Sequence, residues 1–164
     1  MKVLSLKAKK AIDAWLLKFP NNQRQSAVLF ALTFVQKENG GWLTVEWMDT
    51  VAAYLGMPKI AVYEVASFYS LYELEPVGKY KIMFCTNIAC QLSGSEQIGK
   101  YLQRSLGIKF GETTADGLFT LKSVECLAAC GGAPAMQIND EYYENLTESS
   151  IDAILQTLET PYGK

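Results

Sequence analysis

The fold of this protein is set by the stretch YKIMFCTNIAC, residues 80–90, where the pattern of the sequence changes. Tyr80 to Phe84 is short and rich in β-prone residues, which predicts a strand. Cys85 stands at the end of that strand, and Cys90 follows in the loop expected after it. Helical periodicity precedes the stretch, and strands alternate with helices after it. A second structural region therefore begins here.

After the first cysteine pair, strands and helices follow one another across short turns. Leu118 to Val124 predicts a second strand, because apolar Phe119 and Leu121 alternate along it. The remaining expected elements are a helix over Ser95–Leu106, hairpin strands over Ala135–Ile138 and Glu141–Glu144, and a last helix capped by Thr147. This order of elements resembles a thioredoxin-like layer, which places the chain in the α+β class.

The sequence before residue 72 has the apolar periodicity of helices. Four are expected: Leu6 to Phe19 ahead of Pro20, about Gln23 to Glu38, the N-cap Thr44 to the C-cap Gly56, and Pro58 through Tyr69. Residues 73–79 contain a proline and a glycine, which indicates a linker. We therefore expect two domains, a helical region of residues 1–75 and a thioredoxin-like domain of residues 76–164.

Composition excludes several classes of function. Of the 164 residues, 49% are apolar and 20% charged, as in an ordinary globular protein. The net charge is −2 without a long basic stretch, so we expect no nucleic-acid binding. No apolar run is long enough to span a bilayer and no secretory signal is recognisable, so we expect a cytosolic protein without direct membrane insertion. Histidine is absent, which removes the usual general base and Rieske-type ligation.

Four cysteines form two close pairs: four residues separate Cys85 from Cys90, and three separate Cys126 from Cys130. A predicted helix and strand lie between the pairs, so two loops are expected to converge on one point. Four thiolates around one centre bind either zinc or an iron–sulfur cluster. Disulfides are disfavoured in a cytosolic protein, and a thioredoxin-type enzyme needs a Cys-x-x-Cys motif, which is absent.

The spacing favours a [2Fe–2S] cluster, while a zinc-stapled interaction module and a thiol enzyme stay open as alternatives. Neither gap has the two residues most common in zinc ribbons, and wider loops suit a larger two-iron core. Small residues surround the second pair, and neither loop contains Lys or Arg between its cysteines. Small residues let backbone N–H groups approach the sulfurs, where their hydrogen bonds tune the reduction potential.

The two cysteine pairs lie within a series of longer sequence motifs. Together these motifs closely resemble the thioredoxin-like [2Fe–2S] subunits of respiratory NADH dehydrogenase, known as the E subunits of bacterial complex I. The resemblance covers about residues 20–155. Its matching stretches are GWL at 41–43, VAAYLG at 51–56, VYEVASFY at 62–69, PVGKY at 76–80, CTNIAC at 85–90, GETTADGLFT at 111–120, ECLAACG at 125–131, QINDEYY at 137–143 and LT at 146–147.

The resemblance implies one [2Fe–2S] cluster, with Cys85, Cys90, Cys126 and Cys130 as ligands and no catalytic residue on this chain. It also implies partners: the flavin subunit that binds FMN and NADH, and the other peripheral-arm subunits of complex I. In such an assembly the chain is an electron-transfer subunit, cytoplasmic and peripheral to the inner membrane. NAD-linked hydrogenases and formate dehydrogenases contain related subunits, which are the alternative function.

Overall fold

Two compact units make up the chain in the computed structural model, which describes residues 2–160; the first ends at Pro76 and the second begins at Val77. The first unit is helical and the second contains a mixed sheet with helices, so the expected α+β class is confirmed. The predicted domain limits, 1–75 and 76–164, stay a prediction, and their outer ends, Met1 and residues 161–164, lie outside the described residues. No helix in the described part of the chain is long and apolar enough to cross a membrane.

In the described part of the first unit, four α-helices share one apolar core. They are α1 Leu6–Leu16, α2 Val28–Glu38, α3 Val45–Leu55 and α4 Lys59–Phe68. Each contributes a fully buried side chain, namely Ile12, Leu32, Val51 and Val62 in that order. The apolar periodicity of the sequence predicts this arrangement, because each helix buries one stripe against its neighbours.

The helices α1 and α2 are shorter than the sequence predicts. α1 ends at Leu16 instead of Phe19, and its end tightens into turns in which the Phe19 N–H donates to the Leu16 carbonyl at 3.0 Å. Pro20 explains this, because proline disfavours the α conformation in the residue before it. α2 begins at Val28, since residues 24–27 form a 3₁₀ turn.

The limits of α3 agree with the prediction, and those of α4 differ. Thr44 caps α3 by accepting the Trp47 N–H at 3.3 Å, and Gly56 ends it with a left-handed φ of 69°. Pro58 is the N-cap of α4 and not part of its first turn, and Tyr69 has extended backbone outside the helix. No glycine or proline follows Tyr69 closely, so the sequence contains no stop signal at this end.

The second unit contains β1 Tyr80–Cys85, α5 Ile88–Leu92, α6 Ser95–Leu106, β2 Phe119–Val124, β3 Met136–Ile138, β4 Glu141–Tyr143 and α7 Glu148–Glu159. Its sheet has the order β2-β1-β3-β4, in which β1 and β2 are parallel and the other pairs antiparallel. The hairpin strands are one residue shorter at their outer ends than predicted, and α5 lies where the sequence predicts a loop. Thr147 caps α7 as expected, in a capping box with Ser150.

α6 packs on the face of the sheet to which alternate residues of β1 point. Ile82 and Phe84 are buried, and a Cβ at Gly99 in α6 would stand 3.2 Å from a carbon of the Phe84 ring. The other fully buried side chains of this core include Leu102 of α6, Leu121 of β2 and Ile151 of α7. This core holds β1 and β2 in place and so fixes where both strands end.

Gly78 lies where the chain enters β1 and passes close to the start of β2. A Cβ there would stand 2.9 Å from the carbonyl carbon of Phe119, and the Gly78 N–H donates to the Thr120 hydroxyl at 2.6 Å. Backbone atoms cannot move aside as the end of a flexible side chain can. We expect Gly78→Ala to destabilise the protein by about 1–3 kcal/mol, seen as a lower midpoint of thermal unfolding by circular dichroism.

Gly131→Ala is the matched control, because a Cβ at Gly131 meets no atom within 4 Å. We expect its unfolding midpoint to stay close to that of the unsubstituted protein. An equal fall in both variants would contradict the steric explanation.

Candidate metal centre

The parallel pairing of β1 and β2 brings the two cysteine loops to the same edge of the sheet. Cys85, the last residue of β1, lies opposite Val124, the last residue of β2. Parallel strands end at the same edge of a sheet. Cys126 follows Val124 by only two residues, so the second cysteine loop begins beside Cys85. Thr86 ties the loops together, since its N–H and its hydroxyl both donate to the Val124 carbonyl, at 3.0 and 3.1 Å.

Cys90 reaches the site from α5, the short helix that the sequence does not predict. Asn87 is its N-cap residue, and the Asn87 carbonyl accepts the Gln91 N–H at 2.9 Å. This helical turn buries Cys90, which is 2% exposed, next to Cys85, which is 3% exposed. Asn87 is a favourable N-cap residue, but five residues are too few for helical periodicity to appear.

The second cysteine pair lies on an exposed loop between β2 and β3. Cys126 and Cys130 are both exposed, and Cys130 begins a 3₁₀ turn that extends over Cys130–Gly132. The loop rejoins the sheet at Ala135, whose carbonyl accepts the Cys85 N–H at 3.2 Å. The site is therefore half inside the unit and half at its surface.

Cysteine side chains from the two loops meet. The Cys85 thiol hydrogen-bonds with the thiols of Cys90 and Cys126, and Cys90 lies within electrostatic reach of Cys130. Since Cys85 and Cys126 come from different loops, their contact joins the two pairs. All four residues selected from the sequence are thus brought together, and all are free thiols.

Burial and backbone N–H groups shift the pKa values of the two buried thiols in opposite directions. Burial raises the pKa of Cys85, but the N–H groups of Asn87 and Leu127 and the neighbouring thiols outweigh it, so this pKa lies below the ordinary thiol value. Burial and the Cys85 thiol raise the pKa of Cys90, against the effect of the Ala135 N–H. Of these two thiols, that of Cys85 loses its proton more readily and so forms the thiolate, which is the form that binds metals.

Backbone N–H groups from both loops point at the sulfurs. The donors are Asn87 and Leu127 on Cys85, Ala135 on Cys90, and Ala128 on Cys126, the last with 3.2 Å between N and Sγ. These residues act through the main chain, so the sequence gives little signal for them. Gly132, one of the small residues around the second pair, makes room for Glu144: a Cβ on Gly132 would stand 2.6 Å from the Glu144 Cβ.

The donor set fits a two-iron cluster. Within residues 2–160, no group of three or more His, Cys, Asp or Glu side chains is arranged to hold one metal ion. The site has four thiols from two loops, and a [2Fe–2S] core takes two thiolates on each iron. N–H donors already face the sulfurs, as the anionic sulfurs of such a core require.

A thiol enzyme fits this site less well. A reactive thiol combines a lowered pKa with access to solvent. Here the lowered pKa belongs to Cys85, which is buried.

Comparisons with known proteins agree with the chemistry of the site. The family of thioredoxin-like [2Fe–2S] ferredoxins matches residues 12–159. The E subunit of the NADH-quinone oxidoreductase of Rickettsia typhi is 48% identical over 85% of this chain and 82% of its own length. An E subunit of the NADH-quinone oxidoreductase of Rhizobium meliloti is 43% identical over 91% of this chain and 87% of its own length. The resemblance found in the sequence is therefore confirmed.

The fold is also found in a solved structure. A chain of an NAD⁺-reducing [NiFe]-hydrogenase in the air-oxidized state superposes with a TM-score of 0.71 over 86% of this chain, at 22% identity. The match spans 24% of the hydrogenase chain, and at this identity it speaks for the fold alone. Together with the four thiols at the edge of the sheet, the family match establishes that the chain belongs to the thioredoxin-like [2Fe–2S] ferredoxin family.

Proposed function

We propose that this chain is an electron-transfer subunit of an NADH-quinone oxidoreductase, in which Cys85, Cys90, Cys126 and Cys130 hold one [2Fe–2S] cluster. The observation that carries the proposal is the convergence of these thiols, with N–H groups aimed at their sulfurs, where two parallel strands end. The likeness to the E subunits of that enzyme over most of the chain supports the assignment.

The cysteines act as ligands and not as nucleophiles. A bound [2Fe–2S] cluster supplies one-electron chemistry without proton transfer to the protein. Buried Cys85 and Cys90 hold their side of the site away from water, and N–H donors offset the negative charge gathered there. Exposed Cys126 and Cys130 bring the other side to the surface, where an electron can pass to or from a partner. The chain works as part of an enzyme complex, as its relatives named as E subunits do.

The surface around the site fits an apolar partner. Residues 82–95 and 126–139 contain no Asp, Glu, Lys or Arg, and we call the exposed residues of these two segments the uncharged surface. On it, Ile88 is 64% exposed and Leu92 is 83% exposed. Large apolar side chains without charges are typical of the centre of protein interfaces. We propose the FMN- and NADH-binding flavin subunit as the partner, with other peripheral-arm subunits, at the cytoplasmic side of the inner membrane.

Cys126→Ser tests the ligand assignment, because it removes one thiolate and keeps the size of the side chain. We expect the cluster content to fall roughly tenfold or more relative to the unsubstituted protein. The content is measured as iron, acid-labile sulfide, visible absorption and the EPR signal after dithionite reduction. The unfolding midpoint should fall as well, since ligation energy is coupled to folding.

Ala129→Ser is the control, because it adds a hydroxyl to the same loop and leaves all four thiols. It should retain the full cluster. A Cys126→Ser protein with unchanged iron, sulfide and EPR signal would refute the assignment, and stoichiometric zinc without sulfide in the native protein would favour the zinc-stapled alternative.

Leu92→Asp tests the partner. A charge buried in an apolar contact is costly in free energy. When this variant is affinity-purified from its native cells, we therefore expect roughly tenfold less flavin subunit to copurify with it. Its own cluster should stay intact. Leu17→Asp is the control: Leu17 is 88% exposed but lies at the end of α1, outside the uncharged surface.

The proteins recovered with the unsubstituted chain decide between the two functions. An FMN-containing subunit with membrane-bound, quinone-linked partners would support the proposal. A nickel hydrogenase or a formate dehydrogenase subunit would support the alternative. Equal losses of copurified flavin subunit in the Leu92→Asp and Leu17→Asp variants would contradict the role of the uncharged surface in binding the partner.

A further inference from the structure

The end of the first unit carries a group of exposed apolar side chains outside the metal centre. These are Phe68, Tyr69, Leu71 and Leu74, which we call the apolar turn. Phe68 is 80% exposed, and the other three are exposed as well. Single exposed apolar residues are ordinary, but a group of them on one short segment marks a binding surface.

Buried polar side chains fix the backbone of this segment. Gln36 is buried; its side-chain N–H donates to the Leu71 carbonyl at 3.1 Å, and its carbonyl accepts the Glu73 N–H at 2.8 Å. Buried Tyr72 donates its hydroxyl to the Leu29 carbonyl at 2.8 Å. Such groups are costly to bury unless they are hydrogen-bonded. The apolar side chains are thus presented on a backbone that a partner need not order, which lowers the entropic cost of binding.

A cleft beside the apolar turn contains an unpaired carboxylate. The volume of the cleft is about 420 Å³, and its lining residues are Glu64, Val65, Ser67, Phe68 and Tyr69. The Glu64 carboxylate is exposed and makes no ion pair with any residue that the structure describes. Lys59 of the same helix is already paired with Asp49, at 2.6 Å. Residues 60–78 contain three Glu and no Lys or Arg, so this surface lacks a cation.

These features define the kind of partner that fits. A Lys or Arg of a partner protein can pair with Glu64 while apolar neighbours of that residue fill the cleft. A second copy of this chain fits poorly, because a symmetric contact sets the same surface, with its Glu64, against itself. A membrane surface fits poorly as well, because anionic lipids repel carboxylates.

We propose that the apolar turn and Glu64 form a second docking surface for the flavin subunit, which contributes an apolar segment with a Lys or Arg opposite Glu64. The inference rests on the proposed function, in which the uncharged surface of the second unit binds that subunit. The first unit ends at Pro76 and the second begins at Val77, so no linker separates them. A partner bound through one unit therefore stays at a high effective concentration near the other.

Photo-crosslinking from the apolar turn tests which partner lies on it. p-Benzoylphenylalanine replaces Phe68 in the full-length chain in its native cells, which are irradiated before the chain is purified. We expect a covalent product with the flavin subunit, and mass spectrometry should place the crosslink on a peptide with apolar residues and a Lys or Arg. The same amino acid in place of Leu6 is the control and should give no such product. Leu6 is 78% exposed, but it begins α1 and does not line the cleft.

A charge reversal tests the ion pair. We expect Glu64→Lys to lower the amount of copurified flavin subunit roughly tenfold, because like charges across an interface repel. Replacing the crosslinked Lys or Arg of the flavin subunit by Glu should restore that amount. The iron and sulfide content and the unfolding midpoint of Glu64→Lys should match those of the unsubstituted protein, because Glu64 is exposed and the cysteines lie in the other unit.

The outcomes separate this inference from the proposed function. A flavin subunit that copurifies with the chain but does not crosslink from position 68, or crosslinks equally from position 6, would overturn the second docking surface alone. A crosslink to a second copy of the chain or to lipid would overturn it as well, and so would an unchanged amount of flavin subunit with Glu64→Lys. If no flavin subunit copurifies with the unsubstituted chain, both proposals fail.

Discussion

The parallel ladder between β1 and β2 is the constraint on which the site depends. Its register sets Cys85 opposite Val124, so the second cysteine loop begins where the first one does. An antiparallel pairing of these strands would send the two loops to opposite edges of the sheet. A parallel pair needs a long crossover, and here α5, α6 and the segment up to Phe119 form it. The residues between the cysteine pairs are therefore what allows the pairs to meet.

The same geometry creates an electrostatic problem that the backbone solves. Cys85 and Cys90 are buried, and burial opposes formation of the thiolates that a cluster needs. Main-chain N–H groups from both loops offset this, because they donate to the sulfurs without adding a charged side chain. The absence of Lys and Arg from residues 82–95 and 126–139 is consistent with this arrangement.

Sequence patterns predicted most of the secondary structure because local chemistry sets it. Thr44, Gly56 and Thr147 mark helix ends through caps that depend on one side chain or on one left-handed residue. The patterns failed where local signals were absent. α5 is too short for a helical period, and α4 ends at Phe68 without a glycine or proline nearby. Tertiary contacts decide such ends, since propensity is a weak guide there.

At the site, the sequence by itself determined the ligand types and their pairing along the chain: four thiols, no histidine, and two loops after two strands. The sequence also contains the resemblance to thioredoxin-like [2Fe–2S] subunits, which favours iron and sulfide over zinc. Only the tertiary structure decided which sulfurs are buried, that Cys85 touches both Cys90 and Cys126, and that Leu127 and Ala128 present their N–H groups. The physical reason is that every residue except proline has the same N–H group, so its direction depends on backbone angles and strand register and not on side-chain identity.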